Sequence, residues 1–205
     1  YDDSSPYFEA LQINRSISLI GEEKRTTIID ARTIKNTSAL NISADGVVVQ
    51  NFTIQNSTTT NWRYYAAGIF ITADNVLIKE NIIQDNNLGI QVGGRINYTL
   101  YVANHCSIED NDITNNGGGI SVYHSPLLIS YNNITNNCEF GIYVSDYETY
   151  YEAPTIQYNN IFGHTSYDLR AGVSDINATH NWWGTANGTL VDEHIYDYYD
   201  DFNLG

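Results

Sequence analysis

Two stretches of this chain are copies of each other, position for position. GIFITADNVLIKENIIQDNN begins at Gly68, and GISVYHSPLLISYNNITNN begins at Gly119. Ile69 and Ile71 align with Ile120 and Val122, Ile78 with Ile129, Asn81 with Asn132, Ile83 with Ile134, and Asn86 with Asn137. Related blocks start at Gly89 and Gly141, so the steps Gly68 to Gly89 and Gly119 to Gly141 are 21 and 22 residues. The Gly89 block is lengthened by GGRINYTLYVANH and the Gly141 block by YETYYEAP. A looser copy, Leu40–Ile42 with Val47, Val49, Asn51, Ile54 and Asn56, stands upstream and is off by about one residue in its second half.

Inside each copy, apolar and polar residues alternate over a few positions between Gly and Asn breaks, which is strand periodicity. No stretch repeats at helical spacing for three turns. A sandwich needs hairpin turns, which are scarce here, and a propeller blade needs about 40 residues. What remains is an all-β fold, a right-handed parallel β-helix of 21–22 residues per coil. Residues 1–205 read as one domain, with an N-terminal segment 1–12, coils over 13–184 and an acidic, Tyr-rich tail 185–205. Equivalent side chains then stack at the ~4.8 Å strand spacing. Ile69, Ile90, Ile120 and Ile142 should form one inward column, and Ile78, Ile108, Ile129 and Ile156 a second. Asn81, Asn111, Asn132 and Asn159 should stack at a corner, where Asn tolerates the left-handed conformation and amides bond from coil to coil.

Charge narrows the partners. Nine Lys and Arg face 24 Asp and Glu, a net charge of −15, which excludes a phosphate-binding footprint and hence nucleic acid. At 42% hydrophobic and 16% charged the chain is no disordered acidic tail. No apolar run approaches a membrane-spanning length. The chain opens at Tyr1, so either a leader was removed or this is an excised segment. Nine Asn-x-Ser/Thr sequons suit an exported, glycosylated surface protein, although 25 Asn produce sequons by chance as well. Asn51 and Asn133 lie at or beside the stacked column. The better glycan candidates are Asn14, Asn36, Asn97, Asn177 and Asn187. Cys106 reads as a small buried hydrophobe and Cys138 as a corner residue, about half a coil apart and too distant for the usual disulfide.

NRSISLIGEEKRTTIIDA, the Gly-Ile and Asn-x-Ile coils, and NWWGTANGTL at 181–190 resemble the NosD-like right-handed β-helix repeat proteins, grouped with carbohydrate-binding and sugar-hydrolysis domains. The style is also similar to exported surface proteins of methanogenic archaea. The copper role that NosD implies has no support here: Met is absent, the two Cys are isolated, and the five His form no His-x-His. The β-helix hydrolase and lyase signatures are absent too. The nearest thing to a catalytic cluster is His105, His124, Asp146 and Glu148 with Tyr123. His124 and Asp146 each lie five residues past a coil Gly, where a His beside a carboxylate serves as general acid or base, or simply as a surface pair. Tyr98, Tyr101, Tyr143, Tyr147, Tyr150 and Tyr151 suit either sugar rings or a neighbouring subunit. The acidic tail offers calcium a weak site without EF-hand spacing.

Trp182 and Trp183 should cap the last coil. With Tyr196, Tyr198 and Tyr199 they are candidates for end-to-end contact, because YDDSSPYFEALQ makes no plug and open ends invite head-to-tail association. The first functional expectation is a noncatalytic, exported structural subunit of an extracellular filament, sheath or surface layer, without cofactor, self-associating head-to-tail or laterally. The alternative is a carbohydrate-binding or polysaccharide-cleaving module, its groove lined by the 95–105 and 146–154 loops. An adhesin domain of a larger protein differs from the first only in its partner.

Overall fold

The computed structural model describes residues 5–59, 66–96, 98–145, 152–172, 176–197 and Asp200. Strands of two to six residues alternate with corners and wind into a parallel β-solenoid of about six turns. Three parallel sheets run the length of the solenoid. The eight-stranded sheet takes in Leu11–Ile13, Leu40–Ile42, Ala67–Ile71, Leu88–Val92, Gly118–Tyr123, Phe140–Ser145, Tyr167–Ala171 and Ile195–Tyr196. The second sheet runs from Ser18–Ile20 to Thr155–Gln157 and the third from Ile28–Asp30 to Asn160–Phe162, six strands each.

The expected inward columns are present. Ile69 pairs with Ile90, Ile90 with Ile120, and Ile120 with Ile142. Ile78, Ile108, Ile129 and Ile156 pair in the same way. A third column, Ile54, Ile83, Ile113, Ile134 and Ile161, completes the triangular core. All are fully buried, each worth about 1.5–3 kcal/mol in transfer free energy. The 21- and 22-residue steps are the shortest. Ile90 to Ile120 takes 30 residues and Ile142 to Leu169 takes 27, so the mean turn is ~27 because several turns carry insertions.

The asparagine column also exists. Asn111 Oδ1 accepts from the backbone N–H and the Nδ2 of Asn81, and Asn132, Asn159 and Asn181 repeat the arrangement, all at 2.9–3.1 Å. Each Nδ2 also donates to strand carbonyls, as Asn132 does to Ile108 and Ser130. A parallel ladder runs through Asn86, Asn116 and Asn137. One expectation needs correction. The ladder asparagines are not the left-handed residues; their predecessors are, with φ of 54–59° at Glu80, Asp110, Tyr131 and Tyr158. The left-handed residue turns the chain, and its successor can then aim an amide inward.

The upstream copy is not off by one in its strands, since Leu40, Val49 and Ile54 pair with Ile69, Ile78 and Ile83 at a constant step of 29. Only the two asparagines are displaced. Asn51 takes the left-handed place (φ 62°) and Phe52 the ladder place, where its backbone N–H donates to Asn81 Oδ1. Asn56 is displaced like Asn51, with the Ser57 backbone N–H donating to Asn86 Oδ1. The coil glycines answer a different need, close approach: a Cβ on Gly119 would lie 2.2 Å from the Gly141 carbonyl oxygen.

Alternation separates the two tryptophans. Asn160 bridges to Trp182, so Trp183 takes the next inward position and packs on the core while Trp182 stays 47% exposed. Only Trp183 therefore acts as a cap. Neither terminal segment stands apart from the coils. Tyr7 bridges Ile29, Leu11–Ile13 pair with Leu40–Ile42, and the tail supplies a short helix, Gly188–Asp192, and a strand that joins the eight-stranded sheet. Both cysteines are free, Cys106 buried and Cys138 exposed.

Candidate functional site

On the outer face of the eight-stranded sheet each coil contributes one residue to a column facing away from the core. Phe70, Gln91, Ser121, Tyr143, Arg170 and Tyr196 follow in register. The insertion after Val92 folds over this face as an antiparallel hairpin, Gly94–Ile96 with Thr99–Tyr101, rather than as a loop. Sheet and hairpin enclose a groove of about 340 Å³. Its floor is Phe70, Gln91, Ser121 and Tyr143, about 14 Å long over three strand spacings. Tyr123 and Ser145 line one side, and Gly93, Gly94 and Arg95 the hairpin side.

Local contacts hold these groups in place. Gln91 Nε2 donates to the Gly93 carbonyl at 3.0 Å, at the base of the hairpin. Gly93 is left-handed (φ 66°) and a Cβ there would lie 2.3 Å from the Tyr123 carbonyl oxygen, so only glycine makes this turn. The Arg170 guanidinium lies over the Tyr143 ring at 5.1 Å and the Tyr196 ring at 5.3 Å. Tyr196, a candidate for end-to-end contact, is thus engaged within the chain, and its ring also meets Tyr167 at 5.0 Å.

Only one member of the candidate catalytic pair falls within the described residues. Asp146 lies outside the described residues. His124 is 3% exposed and left-handed (φ 49°), with its ring edge-on to Tyr123 at 4.4 Å, so it packs at a strand end and not on the open surface. His105 is exposed at another corner, its backbone N–H bonded to the Pro126 carbonyl. Glu148 also lies outside the described residues.

A cluster that the sequence did not signal stands at the last coil. His164 occupies the second ladder where a fourth asparagine would be. Its Nδ1 accepts from the Asn137 backbone N–H at 3.2 Å and its Nε2 meets the Ile134 carbonyl at 3.2 Å. Burial pushes the His164 pKa down. Asp168 lies 4.0 Å from His164 Nε2 and 3.9 Å from His194 Nδ1, and burial pushes its carboxyl up to about 6 against the opposing pull of His194.

Of the glycan candidates, Asn14, Asn177 and Asn187 are exposed, Asn36 is half-buried and left-handed (φ 62°), and Asn97 lies outside the described residues. Asn187 also caps the short helix, its side chain accepting from the Thr189 N–H at 3.1 Å. Among the described residues no three His, Cys, Asp or Glu gather as a metal-holding group, and in the tail Asp200 Oδ2 accepts from the Asp197 N–H. Tyr198 and Tyr199 lie outside the described residues. No described helix is long and apolar enough to cross a membrane.

Nothing similar was found among curated proteins or among solved structures. The family model "Right handed beta helix region" matches residues 19–193, most of the coils described above, and the chain belongs to that family.

Proposed function

We propose that this protein is a noncatalytic carbohydrate-binding module of an exported, cell-surface β-helix protein. The observation that carries this is the groove on the outer face of the eight-stranded sheet. Flat rings at Tyr123 and Tyr143, hydroxyls at Ser121 and Ser145, and the Gln91 amide line one elongated surface. Aromatic rings stack on the apolar faces of sugars, while amides and hydroxyls match their hydroxyl groups. Glycoside cleavage requires an acid and a base or nucleophile about 5–10 Å apart. The described lining supplies neither carboxylate nor imidazole, which favours binding over cleavage. A polysaccharide panel assayed for retention and for newly formed chain ends tests this. Retention without new ends, weakened by Tyr143→Ala, is expected; new ends would make the protein an enzyme.

A structural role through self-association has its own support. Phe8, Ile17 and Ile20 of the first coil are 52%, 45% and 59% exposed, and the strands Leu11–Ile13 and Ser18–Ile20 pair on one side only among the described residues. Such edges recruit another strand. Light scattering across concentration tests it: association abolished by Ile20→Lys supports the role, and monomers throughout contradict it.

A further inference from the structure

Downstream of Lys79 the chain carries 16 acidic residues and only two basic ones, Arg95 and Arg170. Arg95 is part of the groove lining, on the hairpin side, and Arg170 lies just past the end of its floor on the same outer column, one coil beyond Tyr143, over whose ring it lies. Nothing in the fold requires this meeting, because the two residues are 75 positions apart in sequence and reach the same face only through the winding of the coils. The half-buried Arg170 is also held in place, its guanidinium lying over the Tyr143 and Tyr196 rings. Its Nε is buried and has no hydrogen-bond partner among the described residues, and Asp168, two positions earlier, is directed to His164 and His194 instead of to this guanidinium. A guanidinium fixed in this way is suited to bidentate recognition of a carboxylate or sulfate.

We infer that the ligand of this groove is an anionic glycan, a chain of uronate or sulfated sugars lying along the solenoid axis, with its rings against Tyr143 and Tyr123 and its acid groups toward Arg95 and Arg170. This rests on the carbohydrate-binding function proposed above and narrows it to one class of sugar. In a protein of net charge −15, a local pair of cations also sets where along the surface such a chain is admitted.

Calorimetric titration with matched pairs tests the inference: oligogalacturonate against its methyl ester, and dextran sulfate against dextran. The anionic member of at least one pair should bind about tenfold or more tightly than its neutral partner, as one charge-assisted hydrogen bond implies. Arg95→Gln and Arg170→Gln should each remove most of that difference, Arg170→Lys should restore part of it, and melting curves establish that each variant is folded. Equal binding of both members of both pairs overturns the inference while the carbohydrate-binding function stands. No binding of any of the four glycans overturns both. Polyglutamate binding as tightly as the best anionic glycan overturns the assignment to a sugar.

Discussion

Two columns run along this solenoid at the same spacing, and they are written in opposite ways. The first corner ladder reads Asn81, Asn111, Asn132, Asn159, Asn181, the same residue at each step. The outer column of the eight-stranded sheet reads Phe70, Gln91, Ser121, Tyr143, Arg170, Tyr196, with no two neighbours alike. The physical reason is that a ladder amide must be acceptor for the coil below and donor to the coil above, so each position constrains the next. The outer residues owe nothing to one another in that way. Repetition marks the scaffold, and variety on a repeated frame marks the face free to carry a site. Changes in the ladder should therefore cost stability, and changes in the outer column should cost binding.

The largest effect is expected at Asn132→Asp. It removes donors to Ile108, Ser130 and Asn159 and aims a carboxylate at carbonyl oxygens in a buried corner. A loss of about 3 kcal/mol or more should appear in urea unfolding, enough to unfold a marginal domain. His164 sharpens the contrast, because it shows what a ladder position demands. A neutral imidazole with a proton on Nε2 places an acceptor and a donor one ring atom apart, much as an amide does. His164→Asn should change stability by less than about 1 kcal/mol at pH 8, while His164→Phe leaves the Asn137 N–H and the Ile134 carbonyl without partners and should cost about 2 kcal/mol or more.

The same position makes one ladder sensitive to acid. The folded pKa of His164 is depressed below the ordinary 6.5, so its contribution is complete above about pH 6.5 and is lost as pH falls below it. Asp168 acts with the opposite sign. Its folded pKa is raised from 3.8 to about 6, so its contribution is present at low pH and lost as pH rises from about 4 through 6. Replacing His164 by Asn should remove the gain in stability as pH rises toward 6.5 and leave the Asp168 part; an unchanged profile in that range would show that His164 is not the titrating ladder member. In the outer column, Tyr143→Ala should lower glycan affinity about tenfold while stability moves by about 1 kcal/mol or less, because its ring faces a groove and not the core. The smallest effect belongs to a surface stack. Tyr131 and Tyr158 lie face to face at 5.2 Å, with His180 next at 5.0 Å, so Tyr158→Ala should cost about 0.5–1 kcal/mol by thermal unfolding and leave binding unchanged.

This contrast also explains what could be read from the amino acids. Ile69 and Ile90, or Asn111 and Asn132, announce themselves because the same residue returns at each turn. Trp182 and Trp183 were legible as a pair but not by role, since a one-residue difference in alternation decides which enters the core. His164 escaped because it does an asparagine's work under another letter, 27 residues past Asn137, where an insertion lengthens the turn. The groove was legible only in pieces. Tyr143 stood out as an aromatic and the stretch after Val92 as an insertion, but Phe70, Gln91 and Ser121 share no chemical feature until the coils bring them into register.

That register and the groove can be tested together by titrating labelled protein with the tightest-binding glycan and following backbone amide signals by NMR. The expected result is a set of perturbed amides returning at coil intervals, around Phe70, Gln91, Ser121 and Tyr143, together with the hairpin at Arg95. Perturbations confined to a single coil, or gathered at Tyr131, Tyr158 and His180 on the other corner, would contradict the proposal that stacked coils build one binding face.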